Sequence, residues 1–339
     1  MTDRVKWMIV AFVACTALAA TVVVGTFAWQ RHAASAAAPS AVDTGDVTEA
    51  DHIVFRNTAS GSGYGHVARV ALSDPSGPRA VDDIACDRVD AGTEVLSCLR
   101  IERGIVPAYS ATLYAPTGAA RAQWPLPGIP SRTRISDDGS LVATTSFVTG
   151  HSYATIGFST ETVIRTATGQ SLGSLEEWTL LVDGTPSRPA DRNFWGVTFA
   201  DETTFYATVG LSSEGRTHLV RGDIPGRTLT TLAENVECPS LSPDGTRIAF
   251  KLVTAGAGAT AHWTPAVYDL ASGEVRGLPE PRSIDDQIEW RDDDTILYGM
   301  PRPDSVGDSD VWMLAADGSS APEVLIEHAW SPSVVRSGP

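Results

Sequence analysis

Three short stretches of the chain each combine a histidine with an aromatic residue. The pairs are Tyr64 with His66, His151 with Tyr153, and His262 with Trp263. An imidazole exchanges a proton near neutral pH, and an aromatic ring offers a large, rigid contact area. If the fold brings these stretches together, the residue types suit a recognition surface. The alternative is that the rings only pack over strand edges and the histidines take no part.

A fourth stretch of interest is bounded by tryptophans. Residues 176–195 read "EEWTLLVDGTPSRPADRNFW" and include Trp178 and Trp195. This stretch interrupts the repeat spacing described below, and insertions into repeats are often the places where partners bind. Both tryptophans therefore join the candidate binding residues.

Two of the four cysteines predict a covalent link. Cys86 and Cys98 flank the Ala91-Gly92 turn almost symmetrically, so on a hairpin they would face each other. In an oxidising exterior this pairing predicts a disulfide, which loop-closure entropy would make worth up to roughly 3 kcal/mol. A metal site is the alternative, but no histidine stands at ligand spacing. Cys238 is predicted to be a small, buried apolar residue.

Acidic runs and short motifs give little sign of other chemistry. The runs at 291–295 and 304–310 do not match an EF-hand and are interpreted as solvated turns, with calcium binding as the alternative. The sequence contains no H-E-x-x-H, C-x-x-C or G-x-x-x-x-G-K-[ST] motif. We therefore expect no catalytic residues, no metal and no cofactor.

The elements that would position these residues follow from a repeat. "LSPDGTRIAF" (241–250) and "ISDDGSLVAT" (135–144) both place an Asp-Gly turn before alternating apolar residues. Asp-Gly forms tight turns between strands, and alternation with a period of two is typical of a strand. Residues 238–278 continue with two further strand-like runs. This order predicts a four-stranded antiparallel blade of a β-propeller.

The same order recurs along the whole chain. Complete units lie at 84–126, 133–175, 196–232, 238–278 and 288–326. A sixth unit is split, with its first strand at 328–335 and the other three at 52–81. We therefore predict an all-β, six-bladed propeller closed by strands from both termini, which leaves no free edge. An open β-sandwich is the alternative, and a seventh blade would require residues 176–195 to form one.

These residues resemble a known family. "SPDGTRIAF" with "VYDLASGEVRGL", and "SDVWMLAADGSS" further on, resemble the repeats of TolB-like (WD-type) propellers. The resemblance covers residues 51–336 and only the propeller part of that family. It implies a propeller fold and a role in protein–protein or cell-envelope recognition.

Propeller geometry also predicts where the first candidates lie. Loops between the second and third strands of a blade share one side with the connections between blades. The three histidine–aromatic pairs and residues 176–195 all fall on that side, around the mouth of the central channel. The predicted binding surface is therefore the channel mouth.

The N-terminus predicts a membrane anchor. Residues 7–29 carry no charge over 23 positions, which is enough to span a bilayer, and Arg4 and Lys6 precede them. We expect a cytoplasmic tail at 1–6, a transmembrane signal anchor at 7–29 and an Ala/Ser/Pro-rich linker at 30–50. The propeller would then lie outside a bacterial-type cell membrane. A cleaved signal peptide, which would leave a secreted protein, is the alternative.

The net charge limits the classes of partner that the chain can bind. The net charge of −16 repels nucleic acid, so we expect no nucleic-acid partner. The predicted function is a scaffold that binds an envelope or membrane protein through a monomeric ectodomain. The alternative is an enzyme or a ligand sensor that uses the channel mouth for a carbohydrate or a peptide.

Overall fold

The computed structural model describes residues 29, 40–148, 159–211, 214–257 and 260–337. Within these ranges, no helix is long and apolar enough to cross a bilayer. The predicted anchor at 7–29 lies outside the described residues apart from Trp29. The propeller prediction can be compared with the structure over nearly its whole length.

The described strands form six sheets, which confirms the predicted six blades. The split blade comprises β1 (His52–Asn57), β2 (His66–Ala71), β3 (Ala80–Ala85) and, from the other end of the chain, β26 (Ala329–Val335). The first blade comprises β4 (Arg88–Ala91), β5 (Leu96–Glu102), β6 (Ala108–Tyr114) and β7 (Ala120–Pro125). The second comprises β8 (Ile129–Ile135), β9 (Leu141–Val148), β10 (Ser159–Thr166) and β11 (Ser171–Ser174).

The remaining three blades follow in chain order. The third comprises a 3-10 turn (Leu175–Glu177), β12 (Thr179–Val182), β13 (Thr185–Ser187), β14 (Arg192–Phe199), β15 (Thr204–Leu211), β16 (Arg216–Asp223) and β17 (Thr228–Glu234). The fourth comprises β18 (Glu237–Leu241), β19 (Arg247–Ala255), β20 (His262–Asp269) and β21 (Val275–Gly277). The fifth comprises β22 (Glu289–Asp292), β23 (Thr295–Pro301), β24 (Ser309–Ala315) and β25 (Glu323–Ile326).

The ring is closed as the split repeat predicts. Strand β26 pairs antiparallel with β1, with His52 opposite Val335 and Asn57 opposite Ala329. It is the innermost strand of its blade, like β4, β8, β14, β18 and β22 of the others. The side chains of these six inner strands therefore line the central channel.

Residues 176–195 do not form a seventh blade. Strand β12 pairs parallel with β17, and β13 pairs with β12, so both extend the third blade outward to six strands. Trp178 is 3% exposed and packs edge-on against Phe205, with ring centroids 5.8 Å apart. The insertion is held to the third blade by its own apolar residues.

The Asp-Gly turns of the repeat are stabilised by their own side chains. Ser242 Oγ donates to Asp244 Oδ1 at 2.6 Å, and the backbone N–H of Thr246 donates to the same oxygen at 3.0 Å. Ser136 and Asp138 form the same hydrogen bond at 2.6 Å in the second blade. The recurring aspartate therefore shapes a turn, as side chains of this type commonly do.

The described part of the predicted linker lies against the split blade. The backbone of Ser40 donates to Ser60 O at 3.2 Å, and that of Gly45 donates to Arg79 O at 3.0 Å. Ser73 Oγ donates to Glu49 at 2.8 Å further along. Residues 40–50 thus cover the outer edge of this blade at β3, an edge that would otherwise present unpaired backbone groups.

Candidate functional site

The channel has two openings, and one of them collects most of the candidates. Because neighbouring strands are antiparallel, the loops at 58–65, 103–107 and 302–308 lie on the same side as the connections between blades. We call this the mouth side. The Asp-Gly turns lie on the opposite side.

Tyr64 and His66 lie on the mouth side of the split blade. The Tyr64 hydroxyl donates to Gly307 O at 2.9 Å, which ties two neighbouring loops together. The guanidinium of Arg56 stacks 5.0 Å from the Tyr64 ring centre. His66 Nδ1 lies 2.7 Å from Asp82 O. Both predicted residues thus have contacts that organise this rim.

Trp263 lies on the third strand of the fourth blade, next to a buried lysine. Lys251 Nζ is 4.5 Å from the Trp263 ring centre, in a cation–π contact, and Lys251 is 3% exposed. His262 precedes it at the start of β20 and is half-buried. The indole packs against the apolar core between the fourth and fifth blades, so it is not placed on the channel wall.

The other predicted residues divide among three environments. Trp195 is half-buried on the inner strand β14, where its ring lies over Gly210. Trp178 packs in the core of the third blade instead of lining a surface. His151 and Tyr153 lie outside the described residues. The structure thus places Trp195 on an inner strand and leaves Trp178 and Trp263 packed against the cores of the blades.

Sequence reasoning missed a set of charged residues inside the channel. We call Arg88, Arg132, Glu237, Lys251 and Asp285 the mouth cluster. Lys251 Nζ donates to Asp285 Oδ1 at 3.0 Å, and Arg132 Nη2 donates to Asp285 O at 2.7 Å. The Asp285 side chain is 72% exposed; partial desolvation opposes its ionisation, but the charges of Lys251 and Arg132 outweigh this and hold its pKa below the usual value.

Arg132 is only partly satisfied by these contacts. Its Nη1 donates to Ser131 O at 2.9 Å, and its Nη2 lies 3.6 Å from Asp285 Oδ1. Its Nε has no hydrogen-bond partner among the described residues, although Arg132 is 9% exposed. The Nε atom is enclosed by protein, and the guanidinium also interacts with the side chain of Cys238, so this buried N–H is a cost to the fold.

Arg88 has still fewer partners. Its guanidinium stacks 5.8 Å from the Trp330 ring centre, and no described residue accepts a hydrogen bond from it. Burial, reinforced by the charge of Arg132, lowers the pKa of Arg88 to about 10. Glu237, the second carboxylate of the cluster, has its pKa raised by burial against the opposing charge of Lys251. Asp286, which is fully buried and accepts hydrogen bonds from Gly299 and Ser331, adds a third carboxylate whose charge acts on both Arg88 and Arg132.

A second set of charges lies deeper, in the middle of the channel. We call Arg134, Asp90 and Glu289 the mid-channel cluster. Arg134 Nη1 contacts Asp90 Oδ1 at 3.5 Å and donates a short hydrogen bond to Glu289 Oε2. Burial raises the pKa of both carboxylates, and the charge of Arg134 opposes that rise. This cluster joins three inner strands, and its arginine is hydrogen-bonded to both carboxylates.

The predicted disulfide is confirmed and lies beside the mouth cluster. Cys86 and Cys98 are bonded, with Cα atoms 5.4 Å apart. Cys86 lies two residues before the start of β4, so the bond fixes the chain next to Arg88. Cys238 is free and buried, in agreement with its predicted environment.

One catalytic motif was overlooked in the sequence, and the structure places it outside its usual context. Residues 169–173 read G-Q-S-L-G, which matches the nucleophile-elbow pattern of hydrolases. They form the tight turn between β10 and β11, and Ser171 is exposed on the outermost strand of its blade. A nucleophile elbow joins a strand to a helix, so this match predicts no nucleophile.

The opposite side of the ring is acidic. A groove between the second and third blades is lined by Ser136, Asp137, Asp138, Phe199, Ala200, Asp201, Glu202 and Thr203. Thr203 donates both its N–H and its hydroxyl to Asp201, which lowers the pKa of that carboxylate. Among the described residues, no group of three or more potential ligands is placed to hold a metal ion.

A signal for the missed residues exists in the sequence. Arg132 and Arg134 occupy alternate positions of β8, and Arg88 and Asp90 do so in β4. Alternate positions of a strand share one face. Charges in this pattern on the first strand of a blade therefore indicate side chains that line the channel.

Comparisons with known proteins identify the fold. No family model matches the chain, and no curated relative matches it. TolB from Acinetobacter baumannii matches with a TM-score of 0.59 and 15% identity, over 86% of this chain and 68% of that one. A puromycin-hydrolysing peptidase of Mycobacterium tuberculosis matches with a TM-score of 0.51 and 14% identity, over 86% of this chain and 45% of that one. At these identities the likeness shows a shared propeller fold and no more.

Proposed function

We propose that this chain is an extracytoplasmic binding scaffold that recognises a protein of the cell envelope with its mouth side. TolB-like propellers resemble it in fold, and that likeness is compatible with a protein-interaction role. Its rigid, closed ring would present the same loops continuously, so that binding would cost little ordering of the scaffold.

The observation that carries this proposal is the position of the most exposed apolar side chains of the propeller. Ile105, Val106 and Val306 are 105%, 81% and 73% exposed, and all lie in mouth-side loops. On the opposite side, Val275 and Val324 are less exposed, at 44% and 42%. Exposed apolar side chains gathered on one side of a molecule are typical of protein interaction sites.

The disulfide supports the extracytoplasmic part of the proposal, because such bonds persist in oxidising compartments. The predicted span at 7–29 would anchor the scaffold in the membrane. Extraction of membranes with alkaline carbonate tests this: an anchored chain stays in the pellet, whereas a cleaved and secreted chain is soluble. An additional N-terminal sequence determination distinguishes cleavage from weak anchoring.

Affinity capture from envelope extract tests the binding side. The tagged full-length chain would be compared with the variant Ile105→Ser/Val106→Ser and with the matched control Val275→Ser/Val324→Ser, each quantified by mass spectrometry. We expect a partner that is lost with the mouth-side variant and kept with the control. Loss with the control alone would place binding on the opposite side and refute the proposal.

A further inference from the structure

The most exposed apolar side chains of the propeller lie on one part of its mouth side. Ile105 and Val106 belong to the first blade and Val306 to the fifth, and these two blades are the neighbours of the split blade in the ring. Ile129, at the start of β8 in the second blade, is 50% exposed and continues the same row. We call these four residues the apolar arc. The arc is centred on the split blade.

The chain joins the propeller at the middle of this arc. The backbone N–H of Ser60, in the mouth-side loop of the split blade, donates to Ser40 Oγ at 3.1 Å. In the same loop, the Tyr64 hydroxyl donates to Gly307 O at 2.9 Å, and Gly307 directly follows Val306. A short series of contacts therefore connects the point of entry at Ser40 with one end of the arc.

The chain before Ser40 limits how far this side can lie from the apolar segment at 7–29. Ten residues, 30–39, connect the two. Even a fully extended chain of this length spans at most about 35 Å. From Ser40 the chain continues along the split blade to the opposite side of the ring, where Ser73 Oγ donates to Glu49 at 2.8 Å. If residues 7–29 span a bilayer as predicted, the chain reaches the mouth side first.

The charges of the molecule determine what kind of contact with lipid is possible. A net charge of −16 repels anionic headgroups. The arginine beside the first loop is already paired, because Arg103 Nη2 donates to Asp87 Oδ1 at 2.8 Å. Burial of apolar side chains at the boundary between headgroups and acyl chains does not depend on such charges. The composition of the arc suits that kind of contact.

We propose that the apolar arc rests on the outer surface of the bilayer that residues 7–29 span, and that Ile105, Val106 and Val306 enter the boundary between headgroups and acyl chains. This inference goes beyond the proposed function, because its ligand is lipid, and it rests on the anchor that is part of that function. The mouth side would then face proteins of the same membrane, and such a partner would replace lipid at the arc when it binds.

Depth-dependent fluorescence quenching tests the proposal on the full-length chain in phosphatidylcholine nanodiscs. An NBD label is attached to Val106→Cys in a Cys15→Ala background; Cys238 is buried. Val275→Cys, on the opposite side, carries the same label as the control. We expect spin-labelled lipids to place the label at 106 about 5–10 Å into the boundary, the depth of interfacial apolar groups. The label at 275 should be quenched by aqueous iodide instead.

Two further measurements separate apolar contact from other causes. With the label on Val306→Cys, the double change Ile105→Ser/Val106→Ser should reduce quenching by lipid, because the loops would enter the bilayer together. The matched change Val275→Ser/Val324→Ser should leave that quenching unchanged. Replacing part of the phosphatidylcholine with phosphatidylglycerol should not increase it, since the chain is acidic. Thermal unfolding of each variant verifies that it is folded.

Several outcomes would overturn the proposal. These are a label at 106 that is as accessible to iodide as the label at 275, equal depths of the two labels, or stronger quenching with phosphatidylglycerol. A chain that does not remain with the nanodiscs would refute the anchor and this inference with it. Capture of a protein partner in detergent that depends on Ile105 and Val106, together with a water-exposed label at 106, would refute only the contact with lipid and leave the proposed binding function intact.

Discussion

Two arginines on inner strands of the same channel have opposite surroundings. Arg134, in the mid-channel cluster, contacts the carboxylates of Asp90 and Glu289 and is 8% exposed. Arg88, in the mouth cluster, makes no hydrogen bond to a carboxylate among the described residues; it stacks on Trp330 and feels Asp286 only through its charge. The same side chain thus holds strands together by hydrogen bonds in one layer and makes no such bond in the next.

The pKa directions reflect this difference. In the middle of the channel, burial raises the pKa of Asp90 and Glu289 although Arg134 opposes the rise. At the mouth, burial and the charge of Arg132 lower the pKa of Arg88. A buried charge is tolerated where its partner is built into the fold. The comparison therefore separates an arginine that is hydrogen-bonded to two carboxylates from one that only stacks on a ring.

The largest expected effect comes from Arg134→Met. This change leaves two carboxylates buried without a cation, and breaking a buried ion pair in this way costs about 3–5 kcal/mol. We expect that loss in the free energy of unfolding, measured with denaturant at pH 7. The control Arg216→Met breaks an exposed pair with Glu234 and should cost less than about 0.5 kcal/mol.

The same variant should respond to pH. A carboxylic acid whose pKa is raised in the folded state lowers the free energy of unfolding at high pH. This loss disappears as the pH falls toward the pKa of the unfolded state. Asp90 and Glu289 are such acids, so they become neutral in the folded state first. The loss caused by Arg134→Met should therefore be smaller at pH 5 than at pH 7, and an equal loss at both would contradict this account.

The next largest effect concerns the disulfide beside the mouth cluster. The bond between Cys86 and Cys98 closes a loop with a sequence separation of 12. Loop-closure entropy makes such a bond worth about 3 kcal/mol. We expect that loss for Cys86→Ala/Cys98→Ala, and we expect a reducing agent to destabilise the parent but not the variant. If the reducing agent leaves the free energy of unfolding of both proteins unchanged, the bond does not form.

Arg88→Met should have a smaller effect than Arg134→Met, although the substitution is the same. Arg88 makes no hydrogen bond to a carboxylate among the described residues, so relief of its desolvation should offset the lost stacking on Trp330 and the lost attraction to Asp286, and the free energy of unfolding should change by less than about 1 kcal/mol. An equally large destabilisation by Arg88→Met and Arg134→Met would contradict this comparison of the two arginines.

Another small effect is expected outside the channel, at a carboxylate held mainly by hydrogen bonds, with Arg247 3.8 Å away. Hydrogen bonds from Ser242 and Thr246 lower the pKa of Asp244 from 3.8. Its stability contribution is therefore present above that value and is lost as pH falls through the lower folded pKa. Asp244→Ala should cost about 1 kcal/mol at neutral pH and less near pH 3, whereas Asp294→Ala, with a 94% exposed side chain, should change little.

Much of the fold was predictable because its signals are local. The Asp-Gly turns at Asp138 and Asp244 mark the same point in two blades, and their geometry depends on side chains within five residues. The split blade followed from counting strands at the two ends. Cys86 and Cys98 were close enough in sequence for their pairing to be inferred.

The site was less predictable because it depends on contacts between distant blades. Arg134 comes from the second blade, Asp90 from the first and Glu289 from the fifth, so no local pattern brings them together. Trp178 was predicted at the mouth, but parallel pairing of β12 with β17 buries it in the third blade. Such pairing depends on the shape of the neighbouring blade, which a strand-by-strand reading does not contain.

The closure of the ring by β26 also has a consequence for synthesis of the chain. Strand β1 is synthesised before the other strands of the ring, and its inner edge stays unpaired until β26 has left the ribosome. Contacts between such distant segments form slowly, and an exposed edge can pair with other chains in the meantime. The nascent propeller therefore remains an open arc, vulnerable to aggregation, until β26 has been made.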